Sequence, residues 1–235
     1  MQIAEVYASL QGEGRLAGTP SVFVRTSGCN LRCHWCDTPF TSWQPSGTQR
    51  DVASLLGEVM ALGLNHVVVT GGEPLLAAGI GDLCQRLRAA GQHVTIETAA
   101  TVLPPDGPPA ADLMSLSPKL QSSTPAAEHG MWQQRHADRR RRDDVIRTLM
   151  QSAPQYQLKF VIDSPNDLDE TTAWLADLGI TPGSAACRHV QLMPQGTSPE
   201  SLAATAPWLQ DACDRLGFRF CHRHHIDWFG NVRGT

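Results

Sequence analysis

No stretch of this 235-residue chain is an apolar run of the roughly 20 residues needed to cross a bilayer. There is no excess of positive charge either. The 19 Lys and Arg stand against 23 Asp and Glu, a net charge of −4, which makes a poor grip on a nucleic-acid backbone. The first residues, Met1-Gln2-Ile3-Ala4-Glu5, carry an acid and no basic region, so no secretory signal is expected. No internal repeat or low-complexity tract stands out. The seven cysteines are an odd number and three of them cluster. That excludes a regular disulfide framework and points to metal binding in a reducing compartment, so a cytoplasmic location is expected. Cys84, Cys187, Cys213 and Cys221 are scattered through periodic segments and read as small buried hydrophobes.

What is present is an ordinary globular composition, 41% hydrophobic, long enough for a large core in one domain spanning 1–235. Residues 2–8 and 21–26 read as strands around a glycine-rich turn, Leu10-Gln11-Gly12-Glu13-Gly14. Residues 49–62 carry helical periodicity, with Thr48 as a cap and Gly63 as a stop. A repeating unit follows. Strand 66–70 leads to a helix at about 75–90, and strand 93–98 is followed by a proline-rich loop at 103–110 where a helix is expected. Strand 112–117 comes next. Strand 156–162 leads to a helix that starts at Ser164-Pro165 and ends near Gly179. Strand 188–193, a helix from Ser198-Pro199 to Gly217 and strand 218–224 complete the pattern. Alternating strands and helices predict a parallel sheet with right-handed crossovers. About six such units are too few for an eight-fold barrel, so the expected fold is α/β, a partial, open β/α barrel. Residues 120–138 look polar and unpatterned, and a variable insertion is expected at about 120–145. The basic run Arg139 to Arg142 reads as a solvated helix face beside Asp143 and Asp144.

The chemistry gathers in Ser27-Gly28-Cys29-Asn30-Leu31-Arg32-Cys33-His34-Trp35-Cys36-Asp37-Thr38. Cys29, Cys33 and Cys36 at Cys-x3-Cys-x2-Cys spacing bring three thiolates to one centre. A structural zinc site wants four ligands, which His34 or a distant cysteine would have to complete. A cubane iron–sulfur cluster with three protein thiolates keeps one iron open. In parallel α/β folds the active site lies at the C-terminal strand ends, and the distinctive residues fall there. They are Arg25, Thr70 with Gly71-Gly72-Glu73-Pro74, Glu97-Thr98, Ser117-Pro118-Lys119, Lys159 and Met193-Pro194-Gln195-Gly196. Gly71 and Gly72 lack side chains, which lets backbone approach a ligand, and Glu73 offers a carboxylate to an ammonium group.

The three-cysteine loop followed by Gly-Gly-Glu-Pro resembles the radical S-adenosylmethionine (SAM) superfamily. That resemblance implies a [4Fe–4S] cluster whose open iron chelates SAM, and a 5′-deoxyadenosyl radical that abstracts hydrogen. Several further pieces resemble the 7-carboxy-7-deazaguanine synthase family: Ser9 to Gly14, Arg25, Cys36-Asp37-Thr38, Ser117-Pro118-Lys119, and a His- and Arg-rich C-terminus ending Arg233-Gly234-Thr235. That family rearranges 6-carboxy-5,6,7,8-tetrahydropterin to 7-carboxy-7-deazaguanine with loss of ammonia. Carried over, Leu10, Gln11, Gly12 and Glu13 meet the pterin, as do Thr70, His225 and the Thr235 carboxylate. Arg25 pairs with a carboxylate, for which its planar fork is suited. Thr38 gives oxygen to Mg²⁺. Trp35, Cys36 and Asp37 adjoin the cofactor, with Trp35 near adenine. So do Gly71, Gly72 and Glu73 at the methionine amino group, Ser117, Pro118 and Lys119, and Met193, Pro194, Gln195 and Gly196. The resemblance also implies a homodimer and an electron donor such as flavodoxin or ferredoxin.

Two other readings share some features. A glycyl-radical activating enzyme has the cysteine loop and partial barrel, but the Leu10–Gly14 turn and Cys36-Asp37-Thr38 argue against it. A zinc-stabilised module binding RNA through Arg139–Arg142 leaves the strand-end residues without a purpose. His222 and His224 alternate on one face of the expected last strand and His225 on the other, which does not favour a joint metal site.

Overall fold

A computed structural model describes residues 1–235. β1 (Gln2–Leu10) and β2 (Pro20–Thr26) pair antiparallel around the glycine-rich loop. No helix separates them, so a crossover is impossible and a direct turn joins them. The cysteine loop leaves β2. The short β3 (Thr48–Gln49) then returns to pair with β1, and α1 (Val52–Ala61) follows. Next come β4 (His66–Gly71), α2 (Ile80–Ala89), β5 (His93–Thr98) and β6 (Leu113–Leu116). α3 (Met131–Arg139), α4 (Asp143–Ser152), β7 (Gln155–Ile162) and α5 (Pro165–Asp177) come after them. β8 (Val190–Pro194), α6 (Pro199–Leu216), β9 (Arg219–Phe220) and α7 (His224–Phe229) end the chain.

All nine strands join one sheet in the order β3-β1-β2-β4-β5-β6-β7-β8-β9. From β2 to β9 every neighbouring pair is parallel. The two end strands do not meet, so the sheet is an open barrel, as the alternation predicts. Strands such as β4, with Val67, Val68, Val69 and Thr70 all buried, are covered on both faces. That is why they read as continuous apolar runs rather than alternating ones. A core of 36 buried residues lies against the helices. Within it Phe160 meets Trp174 edge to face, centroids 5.9 Å apart. The Trp174 indole N–H donates to Asp143 Oδ1 at 2.7 Å, which satisfies the one polar atom of a fully buried ring.

Several expectations need correction. The cap of α1 is Asp51, whose carboxylate accepts from the Ser54 N–H at 2.8 Å. Thr48 sits in β3 instead. The expected helix at 75–90 is split: a 3₁₀ turn at Pro74–Leu76 is followed by Gly79 at φ +85°, and the α-helix begins only at Ile80. The segment 120–138, expected to be unpatterned, contains α3. Its signal is weak because His136 is its only buried residue, so it shows no apolar stripe. α4 was also missed, although Val145, Ile146 and Leu149 form its buried face. The expected strand 218–224 is only two residues long, and His224 and His225 belong to α7. The strand-face argument that separated His225 from His222 and His224 therefore does not apply. The proline-rich 103–110 segment does run as a loop from β5 to β6, and Cys84, Cys187, Cys213 and Cys221 are all buried.

Trp174→Ala should destabilise the fold by about 3–5 kcal/mol, from the lost volume of a fully buried ring. Equilibrium denaturant unfolding would measure it. A cost under about 1 kcal/mol would mean that the helix layer does not depend on this ring.

Candidate active site

The C-terminal ends of the parallel strands open on a cleft of about 350 Å³. The strands contribute Arg25, Thr70, Gly71, Gly72, Glu97, Ser117, Lys119, Lys159, Met193 and Gln195 to its wall. The loop after β1 adds Leu10, Gln11, Gly12 and Glu13, and the cysteine loop adds Trp35, Asp37 and Thr38. His225 and the tail from Asn231 to Thr235 close one side. Both lysines of the chain, Lys119 and Lys159, face this one cavity.

A charged network crosses the cleft. Glu13 accepts from Lys159 Nζ and, at 3.1 Å, from Arg223 Nε. Arg223 Nη2 donates to Asp37 at 2.6 Å and Nη1 to the Gly196 carbonyl. Lys159 also lies 3.5 Å from Glu97. Burial pushes the Glu13 carboxyl up, but Lys159, Arg223 and His225 together hold it well below the usual carboxylate range. Burial pushes the Lys159 ammonium down, and Glu13 and Glu97 more than reverse this. Burial holds His225 below the ordinary histidine value against the pull of Glu13, so its imidazole is neutral at pH 7. Gly12 permits this packing: a Cβ there would stand 2.5 Å from the His225 ring.

Arg25 is partly committed. Its Nε donates to Glu5 at 2.7 Å and its Nη2 to the Tyr7 hydroxyl at 2.6 Å. Arg233 reaches the other oxygen of Glu5 at 2.8 Å, so the tail is fastened to the partner of Arg25. The guanidinium keeps further N–H groups for a ligand in the cleft.

Contacts with distant backbone hold the cysteine loop. Gly28 N–H donates to Thr41 O, Glu73 N–H to Gly28 O and His34 N–H to Ser123 O, all within 2.9 Å. The Trp43 indole N–H donates to Cys33 O at 2.9 Å. A Cβ on Gly72 would stand 2.3 Å from Gly28 O, and one on Gly71 would stand 2.3 Å from Thr26 O. Gly71 is therefore required by its packing on the end of β2, and Gly72 by its contact with the cysteine loop. The expectation that the Glu73 carboxylate meets an ammonium group is corrected. Glu73 is buried beneath the cleft, where it accepts from Thr98 Oγ1, Leu75 N–H and Ala99 N–H at 2.7 to 3.0 Å. Gly71 and Gly72, not Glu73, line the cleft in this segment. Pro118, Pro194, Gly196 and the three cysteines stand behind the lining rather than in it. Trp35 packs on Val161, Met193 and Cys221.

Sequence reasoning missed Tyr7, Phe23, Arg223 and Arg233 as cleft residues, and it assigned no role there to Lys159 or Glu97. The last two were visible as strand ends. Arg223 was not, because nothing in the sequence shows that the chain leaves the sheet after Phe220.

The sequence profile of the Radical SAM superfamily matches residues 23–181. A 7-carboxy-7-deazaguanine synthase of Rhodopirellula baltica is 50% identical over 234 residues, covering 99% of this chain and 88% of that protein. This chain belongs to the 7-carboxy-7-deazaguanine synthase family. A relative of the same name from Halobacterium salinarum is 45% identical over 235 residues, 96% of this chain and 89% of that protein. The crystal structure of QueE from Escherichia coli shares the fold, with a TM-score of 0.65 at 23% identity, and the match covers 94% of this chain and 92% of that one. The glycyl-radical activating and zinc-module readings are thereby set aside.

Membership of the radical SAM superfamily implies a [4Fe–4S] cluster and SAM. The donor set fits a cluster: Cys29, Cys33 and Cys36 are free thiols on one loop. No three His, Cys, Asp or Glu side chains stand close enough to clasp a single ion. Ligands that each take a different iron of a cubane need not converge that tightly. Burial pushes the Cys29 and Cys33 thiols up to about 12, so metal binding is what would hold them as thiolates.

The Glu13–Lys159 pair has a definite pH window. The contribution of Glu13 is present above its ordinary value of 4.5 and is lost as pH falls through its depressed folded value. That of Lys159 is present below its ordinary value of 10.5 and is lost as pH rises through its elevated folded value. Glu13→Gln should therefore cost on the order of 3 kcal/mol at pH 7, because it leaves Lys159 and Arg223 buried without their carboxylate. The deficit should shrink on acidification below 4.5. Urea titrations at pH 7 and pH 4 would read it, and a deficit independent of pH would exclude the charge pairing as its source.

Proposed function

We propose that this protein converts 6-carboxy-5,6,7,8-tetrahydropterin to 7-carboxy-7-deazaguanine with release of ammonia. It would act as a radical SAM carbon–nitrogen lyase in queuosine and deazapurine biosynthesis. The observation that carries the reading is that the Leu10–Glu13 loop, Arg25 and the cysteine loop, separate in sequence, share one polar cleft. When bound, the reduced cluster and SAM supply homolytic hydrogen abstraction, and the protein's task is to bind, orient and shield.

In this reading Cys29, Cys33 and Cys36 ligate the cluster. Trp35, Asp37, the Gly71-Gly72 backbone, Ser117 to Lys119 and Met193 to Gly196 surround SAM. The pterin lies on Leu10 to Glu13 and Thr70, with His225 beside it and the Thr235 carboxylate at the tail. Arg25 offers its remaining N–H groups to the substrate carboxylate, where a bidentate fork adds both energy and orientation. Lys159 stays protonated between Glu13 and Glu97 and places a fixed positive charge on the cleft wall. Thr38, whose hydroxyl accepts from Thr41 Oγ1 at 3.3 Å at the edge of the cleft, gives one oxygen to Mg²⁺, and substrate oxygens and waters supply the rest. The chain works as one domain and as a homodimer in the cytoplasm, and a flavodoxin or ferredoxin reduces it.

Anaerobic turnover of the reconstituted, reduced protein with SAM, Mg²⁺ and 6-carboxytetrahydropterin, followed by mass spectrometry, tests the proposal. Formation of 7-carboxy-7-deazaguanine is expected. Formation of 5′-deoxyadenosine alone would mean a different substrate.

Arg25→Ala should raise KM for the pterin at least about ten-fold, a loss of about 1.4 kcal/mol or more of ground-state binding, while iron content stays unchanged. An unaltered KM and kcat would remove Arg25 from the substrate site.

A further inference from the structure

The basic run that the sequence singles out divides in two. Arg140 pairs with Glu170 at 2.6 Å, Arg141 with Asp143 and Asp177, and Arg142 with Asp144. These three serve the packing of α4 and α5. Arg139 and, one turn earlier, Arg135 are exposed and make no ion pair. With Trp132 they stand at i, i+3 and i+7 of α3, on one face of the helix. Two guanidiniums lie over the Trp132 ring. The Arg32 guanidinium lies 4.0 Å from its centroid and that of Arg135 lies 5.4 Å away.

This face stands directly over the cysteine loop. Buried Arg32 lies between Cys29 and Cys33 in sequence, and its Nη1 donates to the Cys29 and Leu31 carbonyls at 2.8 and 2.7 Å. Its backbone N–H donates to His136 Nδ1 of α3 at 3.2 Å, and His136 Nε2 meets Ser123 Oγ at 2.9 Å. A continuous set of contacts thus runs from the exposed edge of Trp132 through Arg32 to the loop that carries the cluster ligands. On its other side that loop faces the cleft through Trp35, Asp37 and Thr38, where cofactor and substrate occupy the approach. The α3 side gives an approach to the loop that does not pass through the cleft. The acids near this surface are Glu128, beside His129, and Asp138, which borders the patch at i+3 from Arg135 and accepts from Gln134. The whole chain has a net charge of −4, so a local excess of unpaired arginine at this point is set against the general sign.

We propose that the α3 face formed by Trp132, Arg135 and Arg139 over Arg32 is the docking surface for an acidic one-electron carrier protein. This rests on the radical SAM reading and goes beyond it by assigning a place to the reductant. Unpaired arginines steer an acidic partner and raise its association rate, an effect that salt screens. Trp132 and the exposed Met131, at 63%, supply an apolar centre to the same patch.

The test uses the cluster-loaded protein, an acidic flavodoxin and the double variant Arg135→Glu/Arg139→Glu. Titration calorimetry with oxidised flavodoxin should give a Kd for the wild type that weakens as salt rises, and a Kd at least about ten-fold weaker for the variant at low salt. Arg135→Lys/Arg139→Lys, which keeps the charges, should bind within about three-fold of wild type. Flavodoxin-driven formation of 5′-deoxyadenosine should fall with the binding, while dithionite-driven formation stays at the wild-type rate. Equal Kd values for wild type and the Glu variant would overturn the proposal, whatever the turnover. A wild-type protein with a verified cluster that forms no 5′-deoxyadenosine under dithionite would count against the proposed reaction and leave the binding comparison to decide the docking face.

Discussion

Arg223 joins three segments that the chain keeps far apart. Its guanidinium reaches Glu13 in the loop after β1, Asp37 beside Cys36 in the cysteine loop and the Gly196 carbonyl just after β8. A planar group with five donors in a fixed fork suits this task, since each partner takes a different edge. An ammonium could hold any one of these oxygens but not all three in fixed directions. The cost of burying such a charge is offset only when its partners are complete. Here Lys159 supplies the second cation that Glu13 needs and Glu97 supports Lys159. The network either assembles as a whole or leaves several charges uncompensated, and in assembling it brings the glycine-rich loop, the cysteine loop and the sheet to one cleft.

The same logic explains what could be read from the sequence. The barrel was legible because short β-branched and apolar stretches, clearest in the Val67-Val68-Val69 run of β4, alternate with helical periods. The cleft was legible because parallel topology puts strand ends on one rim, so Arg25, Thr70, Lys119 and Lys159 group together from the strand pattern alone. α3 was not legible, because it is held by a single buried histidine and by cation–π contacts rather than an apolar stripe. The end of the sheet was misplaced for a different reason. Residues 218–224 alternate well enough for a strand, yet Arg223 is drawn into the cleft and His224 N–H donates to Gly12 O at 2.9 Å. Tertiary charge pairing overrides local pattern there.

The glycines of the cysteine loop's partner segment carry a related lesson. In the sequence, Gly71 and Gly72 mark places where backbone can approach a ligand. Their geometry also shows backbone approaching backbone, because any Cβ would strike Thr26, Gly28 or Thr41. Glu73, the most conspicuous residue of that motif, then serves as a buried acceptor. It ties β4 to β5 through Thr98 and Ala99. Burial raises its pKa and these donors oppose the rise, so the carboxylate serves to fix the turn after β4 against β5.

The two sides of the cleft are not held with equal strength. On one side stand Glu13, Lys159 and Arg223, with the two basic side chains 6% and 5% exposed, where pairing is little screened. On the other the tail is held by Arg233, which is 51% exposed, through Glu5 and through its stacking 4.2 Å from the Phe40 centroid. An exposed pair of that kind contributes between about 0 and 1 kcal/mol, and the cation–π contact adds a similar amount at the surface. Opening the tail side therefore costs far less than disturbing the network. Glu5 is shared between Arg233 and Arg25, so release of the tail also loosens the group that holds Arg25. The tail and the Arg25 guanidinium are thereby linked through one acid, while the Glu13, Lys159 and Arg223 side of the cleft is held by buried pairs.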